Sequence, residues 1–125
     1  MLVVDDEADL LAATKTILEK NGYEVHAFDN ADEAYRHIKE DGCKDCVVLV
    51  SDIKMPGMSG FELVRRIKAI QPEVKVVLTS SFIMHKGEFE KVMPSLHVDD
   101  LVSKPYTAEE LIEAIRKYAK SESAT

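Results

Sequence analysis

Apolar residues recur along this chain in two rhythms. The runs LVVD (2–5), EVHAF (24–28), VVLVS (47–51), VKVVLT (74–79) and VDDLVS (98–103) have the length and β-branched content of strands. Three are nearly all apolar, which suits strands covered on both faces. Between them, apolar positions return at helical spacing: Leu10, Leu11, Thr14, Ile17 and Leu18; Ala31, Ala34, Tyr35 and Ile38; Val64, Ile67 and Ile70; Leu111, Ile112, Ile115 and Tyr118. Asn30 with Glu33, Ser59 with Glu62 and Thr107 with Glu110 each fit a capping box at a helix start, and Gly22 and Gly42 are plausible stops. The segment FIMHKGEFEKVMPSL (82–96) is less regular. Its short stripe of Phe89, Val92 and Met93 before Pro94 predicts a fifth, short helix, fourth in chain order.

Strands alternating with helices imply a parallel sheet with helices on both faces, since right-handed crossovers place them there. The expected fold is therefore an α/β doubly wound domain with five strands and five helices. A chain of 125 residues holds one such domain, expected over 1–120, with SESAT (121–125) as a tail or linker stub.

A net charge of −7 opposes loose association with nucleic acid or anionic lipid. No apolar run approaches the ~18 residues of a membrane-spanning helix, and the N-terminus lacks a signal-type core. A cytoplasmic protein with no direct nucleic-acid or membrane contact is expected. Cys43 and Cys46 form a C-x-x-C, but no second cysteine pair or spaced histidines complete a zinc site. Cys46 leads into a strand rather than a helix, so two reduced thiols are expected.

The chemistry gathers at strand ends. In VVLVSDIKMPGMSG (47–60) an apolar strand runs into Asp52 and then a loop with Pro56, Gly57 and Gly60. The first strand ends at Asp5 and Asp6, with Glu7 beside them; the fourth ends at Thr79, the fifth at Ser103 and Lys104, before Pro105. Ligands of open α/β sheets bind outside the carboxyl ends of the strands. Two carboxylates about 4 Å apart repel by roughly 4 kcal/mol at an effective dielectric of ~20, so converging aspartates need positive charge. Lys104 supplies one charge and a divalent cation would supply two. Hard oxygen donors favour Mg²⁺, Mn²⁺ or Ca²⁺, with Mg²⁺ usual beside a phosphate. Each residue also has a plain reading: Asp52 as a strand terminator, Asp5 and Asp6 as a helix start, Lys104 as solvated surface, Thr79 as an ordinary strand residue.

Taken together, DDE after the first strand, Asp52 in DIKMPGMSG, Thr79 after VKVVL and Lys104 in SKPY closely resemble the receiver domain of two-component response regulators, the CheY-like fold. The resemblance covers nearly the whole chain and implies strand order 2-1-3-4-5. It implies that Asp52 accepts a phosphoryl group from a phosphohistidine on a sensor histidine kinase or phosphotransfer protein. Asp6 and Asp52 would ligate Mg²⁺ directly, Asp5 through water, and the Lys54 backbone carbonyl would complete the protein's share. Lys104 would pair with one phosphoryl oxygen and Thr79 would donate to another. Phosphorylation would then switch contacts with a downstream protein or an output domain outside this chain.

The chain departs from the pattern where the family transmits its signal. Leu101 stands where an aromatic residue is usual, Ser80 replaces a small alanine, Ser81 follows it, and His97-Val98 stands where Gly-Ala is frequent. Three other readings compete. A haloacid-dehalogenase-type phosphatase or mutase would need an aspartate at position 54, where Lys54 stands. A flavodoxin-like FMN carrier would need a phosphate-cradling loop where the acidic DDE stands. A degenerate receiver would bind partners without phosphorylation, although every chemical residue is present.

Overall fold

Residues 1–42, 47–81 and 98–118 are described in the computed structural model of the chain. Five strands, β1 (Leu2–Val4), β2 (His26–Phe28), β3 (Val48–Asp52), β4 (Lys75–Ser80) and β5 (Asp100–Ser103), form one sheet in the order β2-β1-β3-β4-β5. Every neighbouring pair is parallel. The described helices are α1 (Ala8–Lys20), α2 (Ala31–Arg36), α3 (Gly60–Ile70) and α4 (Ala108–Arg116). The expected helix at 82–96, the thiols of Cys43 and Cys46, and the 121–125 tail lie outside the described residues.

Period-two alternation divides the core. Leu2 and Val4, Leu49, and Val76 and Leu78 bury themselves with Ala31, Ala34, Leu63, Val64 and Ile67, on the face carrying α2 and α3. Val3, Val48 and Val50, Val77 and Val102 join Leu18, Leu111, Ile112 and Ile115, on the face carrying α1 and α4. The expected doubly wound α/β architecture is thus observed, with both faces of the central strands covered.

Local signals act as the sequence suggests. Asn30, Ser59 and Thr107 each cap a helix by accepting the backbone N–H of Glu33, Glu62 and Glu110, and Thr107 and Glu110 complete a reciprocal capping box. Gly22 and Gly42 both take positive φ, +87° and +60°. The second helix differs from expectation, because α2 passes directly into a π-helical turn over His37–Asp41. Strand β2 begins at His26 rather than Glu24: the Met1 ammonium donates to the Glu24 carbonyl, ahead of the ladder. Strand β5 begins at Asp100; the preceding Asp99 accepts the Val76 N–H on its carboxylate at 2.7 Å and donates its own N–H to the Val76 carbonyl at 2.9 Å. No helix of the described residues is long and apolar enough to cross a membrane.

Candidate functional site

Strand order brings the chemically distinctive termini together. Adjacent β1 and β3 deliver Asp5 and Asp52 to the same edge. Asp52 lies opposite Thr79 in the β3–β4 register, and the Ile53 N–H continues the pairing to the Thr79 carbonyl at 3.0 Å. Beyond Asp52 the chain turns back through Gly57, at φ +76°, to enter α3 at Gly60. The Gly60 N–H donates to the Ile53 carbonyl at 2.8 Å. A β-carbon at Gly60 would sit 2.9 Å from Ile53 Cα and closer still to the Asp52 carbonyl oxygen. Since the atoms it would meet are all backbone of Asp52 and Ile53, with no flexible side chain to yield, Gly60→Ala is expected to cost about 2–3 kcal/mol, read as a lower urea midpoint with an unchanged slope.

Lys104 arrives from the far side of the sheet. Its N–H donates to the Ser80 carbonyl at 2.7 Å, extending the β4–β5 ladder by one residue, and the Lys104–Pro105 peptide is cis. The ammonium lies 3.0 Å from Asp5 Oδ2, 3.2 Å from Asp52 Oδ2 and 3.5 Å from Glu7 Oε1. Three donors thus face three carboxylates, and the Lys104 side chain is only 10% exposed. Burial opposes its charge, but the hydrogen bond to Asp5 and the attraction of Asp5 and Asp52 prevail and hold the ammonium above its usual range. Burial raises the Asp52 carboxyl; Lys104 pulls it down without cancelling the rise, and Asp5 and Asp6 add to it.

The residues singled out in the sequence occupy different parts of this edge. Asp5, Asp52 and Lys104 meet directly. Thr79 is buried beside Asp52. Asp6 and Lys54 are exposed and line a cleft with Glu7, Asp52, Met55, Pro56 and Ser81. Leu101, opposite Leu78 in the register, is partly buried against the α2–α3 core. The carboxylate that joins Asp5 and Asp52 is that of Glu7, with one oxygen of each within 4.8 Å of the others. Asp5 contributes to this arrangement, because its Oδ1 accepts the Glu7 N–H at 2.9 Å and so turns the chain locally. In the sequence Glu7 shows only as the third letter of DDE. Three hard oxygen donors facing one ammonium fit a small divalent cation by donor chemistry and by charge.

Known proteins match along nearly the whole chain. The family model described as response regulator receiver domain matches residues 1–116. The chemotaxis protein CheY of Bacillus subtilis is 33% identical, over 94% of this chain and 94% of CheY. The C4-dicarboxylate transport transcriptional regulatory protein DctD of Rhizobium meliloti is 29% identical over 94% of this chain, which spans only 24% of DctD. Among solved structures, a response regulator receiver domain protein from Clostridium thermocellum superposes with a TM-score of 0.78 at 31% identity, covering 94% of this chain and 90% of that one. Family model, relatives and solved structure agree: the chain belongs to the response regulator receiver domain family of two-component signalling.

Proposed function

We propose that Asp52 is the phospho-acceptor of this receiver domain. The observation that carries the reading is the contact of a buried Asp52 carboxylate with the Lys104 ammonium, at the strand edge where Asp5 and Glu7 also converge. An Asp52 oxygen attacks the phosphorus of a phosphohistidine; the new O–P bond forms as the P–N bond breaks, and the electron pair returns to the imidazole nitrogen. Lys104, already beside the carboxylate, pairs with a phosphoryl oxygen of the acyl phosphate, and the Thr79 hydroxyl donates to another. Such transfer depends chiefly on positioning and charge neutralisation. Asp5, Asp6, Asp52, the Lys54 carbonyl and Glu7 are the groups that would hold Mg²⁺, which when bound neutralises the charge shared by carboxylates and phosphoryl oxygens.

The donor in this reading is a sensor histidine kinase or phosphotransfer protein. The recipient of the signal is a downstream protein or an output domain outside this chain, as the longer transcriptional regulator DctD suggests. The domain promotes only its own phosphorylation and dephosphorylation. A net charge of −7 supports action through protein contacts in the cytoplasm rather than on nucleic acid or membrane.

Incubation with phosphoramidate and Mg²⁺, followed by borohydride trapping and peptide mass spectrometry, tests the assignment. A single adduct on Asp52 is expected; an adduct on another side chain, or none, overturns it.

A further inference from the structure

We propose that Tyr106 is a positioning residue for Lys104, acting through a hydroxyl pair with Thr14. The Tyr106 hydroxyl and Thr14 Oγ1 are 3.0 Å apart, joining the segment between β5 and α4 to the middle of α1. Thr14 is 2% exposed, and the Tyr106 ring packs on the core beneath α1 and α4. The inference rests on the phospho-acceptor reading, because it concerns the lysine that serves that site.

Lys104 carries a long, flexible side chain, yet its ammonium is held among three carboxylates. That placement requires a fixed backbone on both sides. Before Lys104 the anchor is its N–H bond to the Ser80 carbonyl. After it, Pro105 is exposed, and the next side-chain tie to the rest of the fold is Tyr106. Packing alone does not call for these hydroxyls, since an apolar pair of the same shape fills the same space and a neutral buried hydrogen bond adds little net stability. What the pair adds is direction. It sets the distance between α1, which follows Asp5, and the loop that carries Lys104. The phenol also lies beside the charge cluster: burial raises its pKa, the Thr14 bond opposes the rise, and Asp5, Lys104 and Asp52 all act on it.

Four variants of the full chain separate positioning from simple stabilisation: Tyr106→Phe, Thr14→Val, the two combined, and Thr14→Ser. Tyr106→Phe strands the buried Thr14 hydroxyl, Thr14→Val strands the partly buried Tyr106 hydroxyl, and each lowers the melting temperature, whereas the double change removes both and recovers it. The rate of Asp52 labelling is measured against phosphoramidate concentration. The maximal rate is expected to fall about tenfold in Tyr106→Phe, Thr14→Val and the double variant, with the half-saturating concentration unchanged. Thr14→Ser, which keeps the hydroxyl, should retain it. A double variant with the wild-type maximal rate overturns the proposal. A second readout needs neither metal nor donor: the ¹⁵N signal of the Lys104 ammonium, assigned by its loss in Lys104→Arg. It should be sharp in wild type and Thr14→Ser and exchange-broadened in the other three, and a signal unchanged in all four overturns the proposal. Wild type that takes no label on Asp52 would refute the phospho-acceptor reading instead, leaving the ammonium signal to decide the role of Tyr106.

Discussion

Asp52→Asn is expected to lose phosphoryl uptake completely while becoming more stable than wild type at neutral pH. The loss follows from chemistry, because an amide has no carboxylate oxygen to form an acyl phosphate. The gain follows from the environment of the side chain. Burial raises the Asp52 pKa above its ordinary 3.8 despite the opposing pull of Lys104, so the fold favours the protonated form. A carboxyl with a raised folded-state pKa contributes stability that is fully present below 3.8 and is lost as pH climbs through the folded value. Asparagine keeps the neutral shape at every pH, while Lys104 keeps Asp5 and Glu7 as partners. Urea unfolding of both proteins between about pH 3 and pH 7 should therefore show the variant's advantage widening as pH rises. Equal stabilities across that range, or an advantage confined to acid, would refute this account of Asp52.

Much of this edge is legible in the primary structure, for a specific reason. Apolar runs such as VVLV and VKVVL have few alternatives to a strand covered on both faces, and Asn30, Ser59 and Thr107 mark helix starts through local hydrogen bonds that need no tertiary information. Parallel strands joined by helices send their carboxyl ends to one side, so Asp5 and Lys104, 99 positions apart, can be paired on paper before they are seen to touch. The third carboxylate is harder to read. Glu7 joins Asp5 and Asp52 while Asp6 lines the adjoining cleft, and the Asp5 side chain helps by taking the Glu7 N–H, a placement that the pattern DDE leaves open. The π-helical turn after α2 is likewise silent in the sequence, since Ile38 fits a helical stripe at either winding. Thr14 reads as one more position on the inner face of α1, and nothing in its spacing shows that its hydroxyl meets Tyr106, 92 positions away.

Removing the cation should have the largest energetic effect at this site. In Lys104→Met the stem keeps most of its packing, but Asp5 and Asp52, with side chains 7% and 8% exposed, lose the charge that balances them. Stranding one side of such a buried ion pair typically costs about 3–5 kcal/mol, and a loss of that order is expected at pH 7. The sign agrees with the lysine's own titration. Its folded-state pKa lies above the ordinary 10.5, so its contribution is fully present at neutral pH and disappears only as pH rises through the folded value. Without the ammonium, the Asp52 carboxyl rises further, because Lys104 is the group that opposes its desolvation. The deficit of the variant should therefore shrink as pH falls and the carboxylates take up protons. Mg²⁺ should stabilise the variant more than wild type, since a cation that binds only the folded state adds stability by mass action and meets no competing ammonium. Urea titrations at pH 4 and pH 7, with and without Mg²⁺, separate charge from shape. A deficit equal at both pH values and indifferent to the metal would assign the role of Lys104 to packing of its stem, whereas a deficit confined to neutral pH and eased by Mg²⁺ identifies the lysine as the counter-charge that lets three acidic groups share one strand edge.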